Sequence, residues 1–238
     1  MILNYNLKSF LKELRKNSLV ENLFLLIPLF LISGPFLPDL TVVIIASVGL
    51  LKYRKVIFVK LSEHKIIIVL ILFTFYNILN SFFSDNLLIS LKSSFFYLRF
   101  PLFAITLALI LKDNKKLLSQ FFIIIKFLLI ILSVDAFFQF STNFNIFGFE
   151  AIQKNRISGM FGDEYILGSY LCRIFPIYLF LYFYINDFEF KNSKEILITT
   201  LIVYFAVFIS GERTSLLILS TIIFFLFLFI KDKNFTKF

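Results

Sequence analysis

Seven charged residues stand inside or against long apolar runs in this 238-residue chain: Arg99, Asp135, Arg156, Glu164, Arg173, Glu212 and Arg213. The sharpest case is VFISGERTSLLIL, residues 207–219, where Gly211, Glu212 and Arg213 separate two stretches of almost pure hydrocarbon. A turn between apolar segments needs no charge; Ser, Asn or Gly would serve. A guanidinium offers a planar fork of donors that grips phosphate or carboxylate through two bonds at once. The chemistry within reach of these residues is therefore the holding of an anion, with the carboxylates Asp135, Glu164 and Glu212 supporting it.

The elements that would position them are set by composition. Hydrophobic residues make up 59% of the chain, 36 of the residues are Phe, and the mean hydropathy is +0.90. A soluble domain of this length cannot hide that much apolar surface, so the expected class is an all-α, polytopic transmembrane helical bundle. The net charge of +9 would suggest nucleic acid in a soluble protein, but here Lys and Arg have a topological role and no nucleic-acid partner is expected. Cys172 is the only cysteine and His64 the only histidine. A disulfide within the chain and a metal site built on His and Cys are thereby excluded.

With about 20 residues needed to cross the hydrocarbon core, eight spans are expected, near 19–37, 40–59, 66–83, 95–111, 117–140, 165–186, 195–210 and 215–230. The second is the weakest, because KYRK follows its apolar run at residues 52–55. Residues 1–18 form a basic amphipathic lead-in, with Leu7, Leu11 and Leu14 at helical spacing; 19–230 form the transmembrane domain; 231–238 form a basic tail. With both termini placed in the cytoplasm, 17 of the 24 Lys and Arg residues fall in inside segments, against Lys92, Lys154, Arg156 and Arg213 outside. That asymmetry satisfies the positive-inside rule at every loop.

So oriented, the charged residues gather on one face. Arg156 and Glu164 lie in the long outer loop, Glu212 and Arg213 in a later outer turn, and Arg99, Asp135 and Arg173 in the outer halves of spans. Lysines concentrate inside, while four of the six arginines lie at the outer side. Topology alone has no such preference between the two, so the pattern points to an anionic headgroup such as a lipid pyrophosphate. Ordinary phospholipid contact and helix-end anchoring are the plainer alternative. Asp135 and Arg173, on consecutive antiparallel spans, are suited to pair with one another across them. Glu164 is explained equally well by the dipole at the start of the sixth span. Arg213 is a cation at a helix N-terminus, unfavourable by about 0.3–1 kcal/mol unless an anion shares the site. Glu212 would bridge to Arg213 or to another outer arginine.

Two of these segments resemble a known family. RISGMFGDEYILGSYL, residues 156–171, is similar to an element of the O-antigen ligase and O-antigen polymerase family: an Arg, a Ser/Thr-Gly-x-Phe-Gly segment, a polar pair, and Leu-Gly at the start of a membrane helix. SGERTSLLIL, residues 210–219, resembles a later element, a Ser/Gly-x-Arg at the outer end of a helix followed by an apolar run. The resemblance covers roughly residues 66–230. It implies a glycosyltransferase of the bacterial inner membrane that uses a glycan on undecaprenyl pyrophosphate as donor and lipid A-core or another glycan as acceptor, on the periplasmic face. It implies no cofactor. By position, Arg156 and Arg213 match the arginines that hold the pyrophosphate; Arg173 and Arg99 are the further candidates, with Glu164, Glu212 and Asp135 supporting.

The departure concerns the catalytic base. In ligases of this family a His in a later periplasmic loop takes that part, whereas the sole His here is cytoplasmic, so the catalytic residues are unknown and the chain is expected to be a fragment of a longer enzyme or a truncated member. A transporter or flippase of lipid-linked or anionic sugars is the alternative. Arg173, Lys126 and Pro176 speak for it, and the lack of internal repeats speaks against it.

Overall fold

A computed structural model of the chain describes residues 14–60, 65–151, 156–186 and 193–231. Most of the amphipathic lead-in, His64, Lys154, Lys191 and all but the first residue of the basic tail lie outside the described residues. Among the described residues the secondary structure is helical, without a β-strand longer than a single bridge. The helices are α1 (Leu19–Phe30), α2 (Phe36–Lys60), α3 (Lys65–Ser81), α4 (Leu87–Tyr97), α5 (Arg99–Asp113), α6 (Lys116–Thr142), α7 (Leu167–Ile185), α8 (Ser193–Ile209) and α9 (Arg213–Lys231).

Among the described residues, four helical stretches are long and apolar enough to cross a membrane: Phe36–Arg54, Leu87–Asp113, Lys116–Thr142 and Leu167–Ile185. Leu19–Ser33, Ile68–Ser81 and Arg213–Leu228 are apolar but shorter. The helix of the second span, expected near 40–59, runs through the KYRK segment to Lys60, since Lys and Arg are good helix formers. One boundary differs from expectation. The fourth does not begin at residue 95. The chain is already helical from Leu87, with a turn at Leu98 between α4 and α5. The segment read as one transmembrane domain divides into two compact units, Met1–Leu117 and Leu118–Phe238.

In the first unit, α2 and α5 lie side by side and run in the same direction. Asp39 pairs with Arg99 near their starts at 2.8 Å, and Tyr53 meets Asp113 at 3.5 Å fourteen residues further along each helix. Between these contacts Gly49 sits against Thr106 so tightly that a Cβ there would be 1.7 Å from the Thr106 Oγ1. A small residue at a helix crossing lets the backbones close, which is how helices gain packing where no hydrophobic force drives them together. The start of α1 is tied at the opposite end. Ser18 and Glu21 form a reciprocal cap, and Asn114 donates to Glu21 at 2.8 Å.

In the second unit, α7 is the central element, packed on α8 and α9. Its buried residues include Leu171, Phe175 and Tyr178, and Tyr178 stacks on Phe122 of α6. Lys126 of α6 pairs with Glu195 near the start of α8 at 2.6 Å. That pairing supplies the role for Lys126 that its position in the sequence leaves open.

Candidate functional site

The site lies in the second unit, at the end where α6 finishes and α7 and α9 begin. Three chain segments meet there: the connection after α6, the start of α7, and the Ser210–Arg213 turn. Gly211, at φ 75°, makes the turn possible in a conformation that other residues adopt only with strain.

Glu212 is the hub. It is buried to 8% exposure, and its carboxylate accepts four hydrogen bonds. Oε1 takes the Gly168 N–H at 2.7 Å. Oε2 takes the Ser169 N–H at 3.0 Å, the Ser215 hydroxyl at 2.9 Å and the Ser169 hydroxyl. Gly168 and Ser169 are the second and third residues of α7, whose own preceding residue, Ile166, has no side chain able to cap it. The free N–H groups of a helix start carry partial positive charge. Here a carboxylate from the turn before α9 satisfies two of them. Gly168 permits the approach, since a Cβ would fall 2.5 Å from the Ser210 Oγ and 3.1 Å from the Glu212 Oε1.

This geometry corrects three expectations. Glu212 makes no ion pair with an arginine; its partners are amides and hydroxyls. Glu164 is exposed and does not cap α7, because Glu212 holds the amides that it would have served. The head of α9, expected to call for an anion from outside, already has a carboxylate of the chain itself, Glu212, bonded to Ser215 in the first turn of that helix.

The Asp135–Arg173 pair does not form. Asp135 is fully buried and its Oδ1 accepts from the Ile146 N–H at 2.9 Å, while its Oδ2 has no hydrogen-bond partner. Arg173 is exposed, on the same outward stripe of α7 as Ile177, Phe180 and Tyr184. Helical phase therefore turns Asp135 inward and Arg173 outward. A stem of that length lets an arginine on an apolar face lift its head towards the interface.

Arg99 belongs to the first unit and has a carboxylate of its own, Asp39. Arg156 lies over the Tyr165 ring at 5.3 Å, a cation–π contact that fixes the guanidinium without neutralising it. Next to it, the Ile157 N–H donates to the Ser210 carbonyl at 3.4 Å. That backbone bond brings the segments bearing Arg156 and Arg213 side by side. Among the described residues neither arginine has a carboxylate partner.

Four polar residues at this end carry no charge and so are inconspicuous in the sequence: Ser169, Ser215, Gln139 and Asn145. Gln139 accepts from the Gly159 N–H at 2.7 Å, and Asn145 donates to the Gly159 carbonyl at 2.9 Å. The only signal for them is the presence of an amide or hydroxyl within an otherwise apolar run. Compared with protein-family models, curated proteins and solved structures, the chain matches none.

Proposed function

We propose that the chain is a glycosyltransferase of the bacterial inner membrane, or part of one, acting on a glycan carried by undecaprenyl pyrophosphate. In this reading the eight apolar segments cross the membrane with both termini in the cytoplasm, and the site faces the periplasm. The observation that carries the reading is the Ile157–Ser210 backbone bond, which joins the two segments resembling the O-antigen ligase and polymerase family. Arg156 and Arg213 contact the pyrophosphate. As an acceptor hydroxyl attacks the anomeric carbon, the new glycosidic bond forms, the bond to the pyrophosphate oxygen breaks, and the hydroxyl proton is released to solvent. The two guanidiniums neutralise the charge that develops on the leaving group. Glu212 orients the two helix starts and does not touch the donor.

The test is complementation of surface polysaccharide in a strain lacking the gene. Arg156→Ala and Arg213→Ala are each expected to abolish the polymer, while Lys115→Ala, at an exposed position away from this site, leaves it intact. Wild-type polysaccharide in both arginine variants overturns the reading.

Transport of a lipid-linked or anionic sugar is the second reading. The Lys126–Glu195 pair and the proline inside α7, Pro176, favour it, since charges and interrupted helices within apolar bundles are features of transporters. The leaflet in which donor accumulates separates the two. Accumulation on the periplasmic side in the arginine variants supports transfer; accumulation on the cytoplasmic side supports transport.

A further inference from the structure

The connection that follows α6 combines two properties seldom found together. Residues 141–149, STNFNIFGF, carry no charged side chain. Four large apolar side chains point outward from it: Phe144, Ile146, Phe147 and Phe149, exposed by 48%, 54%, 68% and 48%. In water such a tip would be an unfavourable surface.

Its backbone is equally unusual for a loop. Every N–H from Asn143 to Phe149 donates to an acceptor within the protein. Asn143 donates to the Gln139 carbonyl, Asn145 to the Phe149 carbonyl and Gly148 to the Asn145 carbonyl. Phe144 donates to the Thr142 hydroxyl and Ile146 to Asp135. Phe147 and Phe149 both donate to the Asn145 side-chain oxygen, at 3.0 and 2.7 Å. Surface loops ordinarily leave part of this work to water. Internal pairing of every N–H removes the donors that hydrocarbon would otherwise penalise in a non-helical backbone.

The loop also turns back along the helix. The Ile146 N–H reaches Asp135, seven residues before α6 ends; at 1.5 Å per residue that is roughly 10 Å. With 27 residues, α6 is about 40 Å long, roughly 10 Å more than the hydrocarbon core. The fold-back therefore returns the apolar tip to the edge of that core. It is also continuous with the outward-facing Phe137, Phe138 and Phe140 at the end of α6.

We propose that residues 143–149 form a re-entrant loop that inserts into the lipid leaflet at the C-terminal end of α6. Its occupant is the bilayer itself. Through Gln139 and Asn145, both bonded to Gly159, the loop fixes the depth of the segment that begins with Arg156. The inference does not depend on the glycan-transfer reading, because its test involves no activity.

The chain contains no Trp, so one introduced Trp reports without background. Phe147→Trp and Phe144→Trp change exposed side chains, and Asp163→Trp, in the exposed turn before α7, is the control. Each variant is reconstituted in phosphatidylcholine vesicles with brominated acyl chains. Trp at 147 or 144 is expected to emit at shorter wavelength, to be quenched at least twofold by the bromolipid and to resist iodide. Trp at 163 is expected to do the reverse. Iodide quenching at 147 and 144 equal to that at 163, with no bromolipid effect, overturns the proposal.

Discussion

The two units hold the charges at their helix starts in opposite ways. In the first, Arg99 at the head of α5 is matched by a carboxylate, Asp39, at the head of α2. In the second, the carboxylate of Glu212 at the head of α9 is matched by two amides and two hydroxyls, with no cation among its partners. The consequence falls on the arginines. Arg99 is engaged by its partner, whereas Arg156 and Arg213 have no carboxylate partner among the described residues. The list of four candidate arginines thus sorts by what each already touches: a carboxylate for Arg99, an outward apolar stripe for Arg173, an aromatic ring for Arg156, and open surface for Arg213.

The harshest way to break this contrast is Glu212→Ala. Four donors lose their acceptor. At about 1–3 kcal/mol for each buried donor left unpaired, and allowing some to re-pair, the expected loss is roughly 4 kcal/mol. It is read as a lower unfolding midpoint in detergent titration. Glu212→Gln keeps one carbonyl acceptor and should recover part of the loss; an Ala variant as stable as the parent would falsify the clamp.

Next in size come the close approaches, one in each unit. Gly168→Ala pushes a methyl group into Ser210 and Glu212, and Gly49→Ala pushes one into Thr106. Overpacking of this kind costs about 1–3 kcal/mol. Thr106→Ala, which removes the Oγ1 and Cγ2 atoms but keeps a Cβ 2.7 Å from the added methyl, should rescue the Gly49 variant only in part. It should leave the Gly168 variant unrescued, since that glycine lies in the other unit. Additive losses for Gly49→Ala and Thr106→Ala would show that the contact is not made.

The smallest effects sharpen the comparison most. Arg99→Ala should lower stability by about 0.5–1 kcal/mol, the usual range for a partly exposed ion pair. Arg213→Ala, which removes an exposed side chain with no ion-pair partner among the described residues, should stay within about 0.5 kcal/mol of the parent. A stability loss at Arg213 as large as that at Arg99 would return it to a structural role.

The helical class was legible because uninterrupted apolar runs of this length leave few other folds. The turn at Gly211 was legible too, as was the adjacency of the segments bearing Arg156 and Arg213. Other features were not. A helix that is apolar on every side, as α7 nearly is, does not declare its phase, so Arg173 could be assigned inward beside Asp135 with no contradiction in the pattern. The partner of Glu212 was hidden for a different reason. A local cap is visible in sequence as a fixed spacing, as Ser18 and Glu21 show. A cap supplied by a distant segment has no spacing to recognise. The re-entrant loop was hidden because its hydrogen bonds come from neutral side chains, which composition does not distinguish from turn formers.

The distance between Glu212 and its amides also has a meaning in time. Gly168 and Glu212 are 44 residues apart. At 5–20 residues per second, a ribosome needs about 2–9 seconds to make the intervening chain. For that interval the start of α7 is present without the carboxylate that will satisfy it. The start of α7 must be accommodated first, and the clamp closes only when the head of α9 arrives. Glu212 thus closes a contact that only later synthesis can complete, joining the hairpin of α8 and α9 to the start of α7.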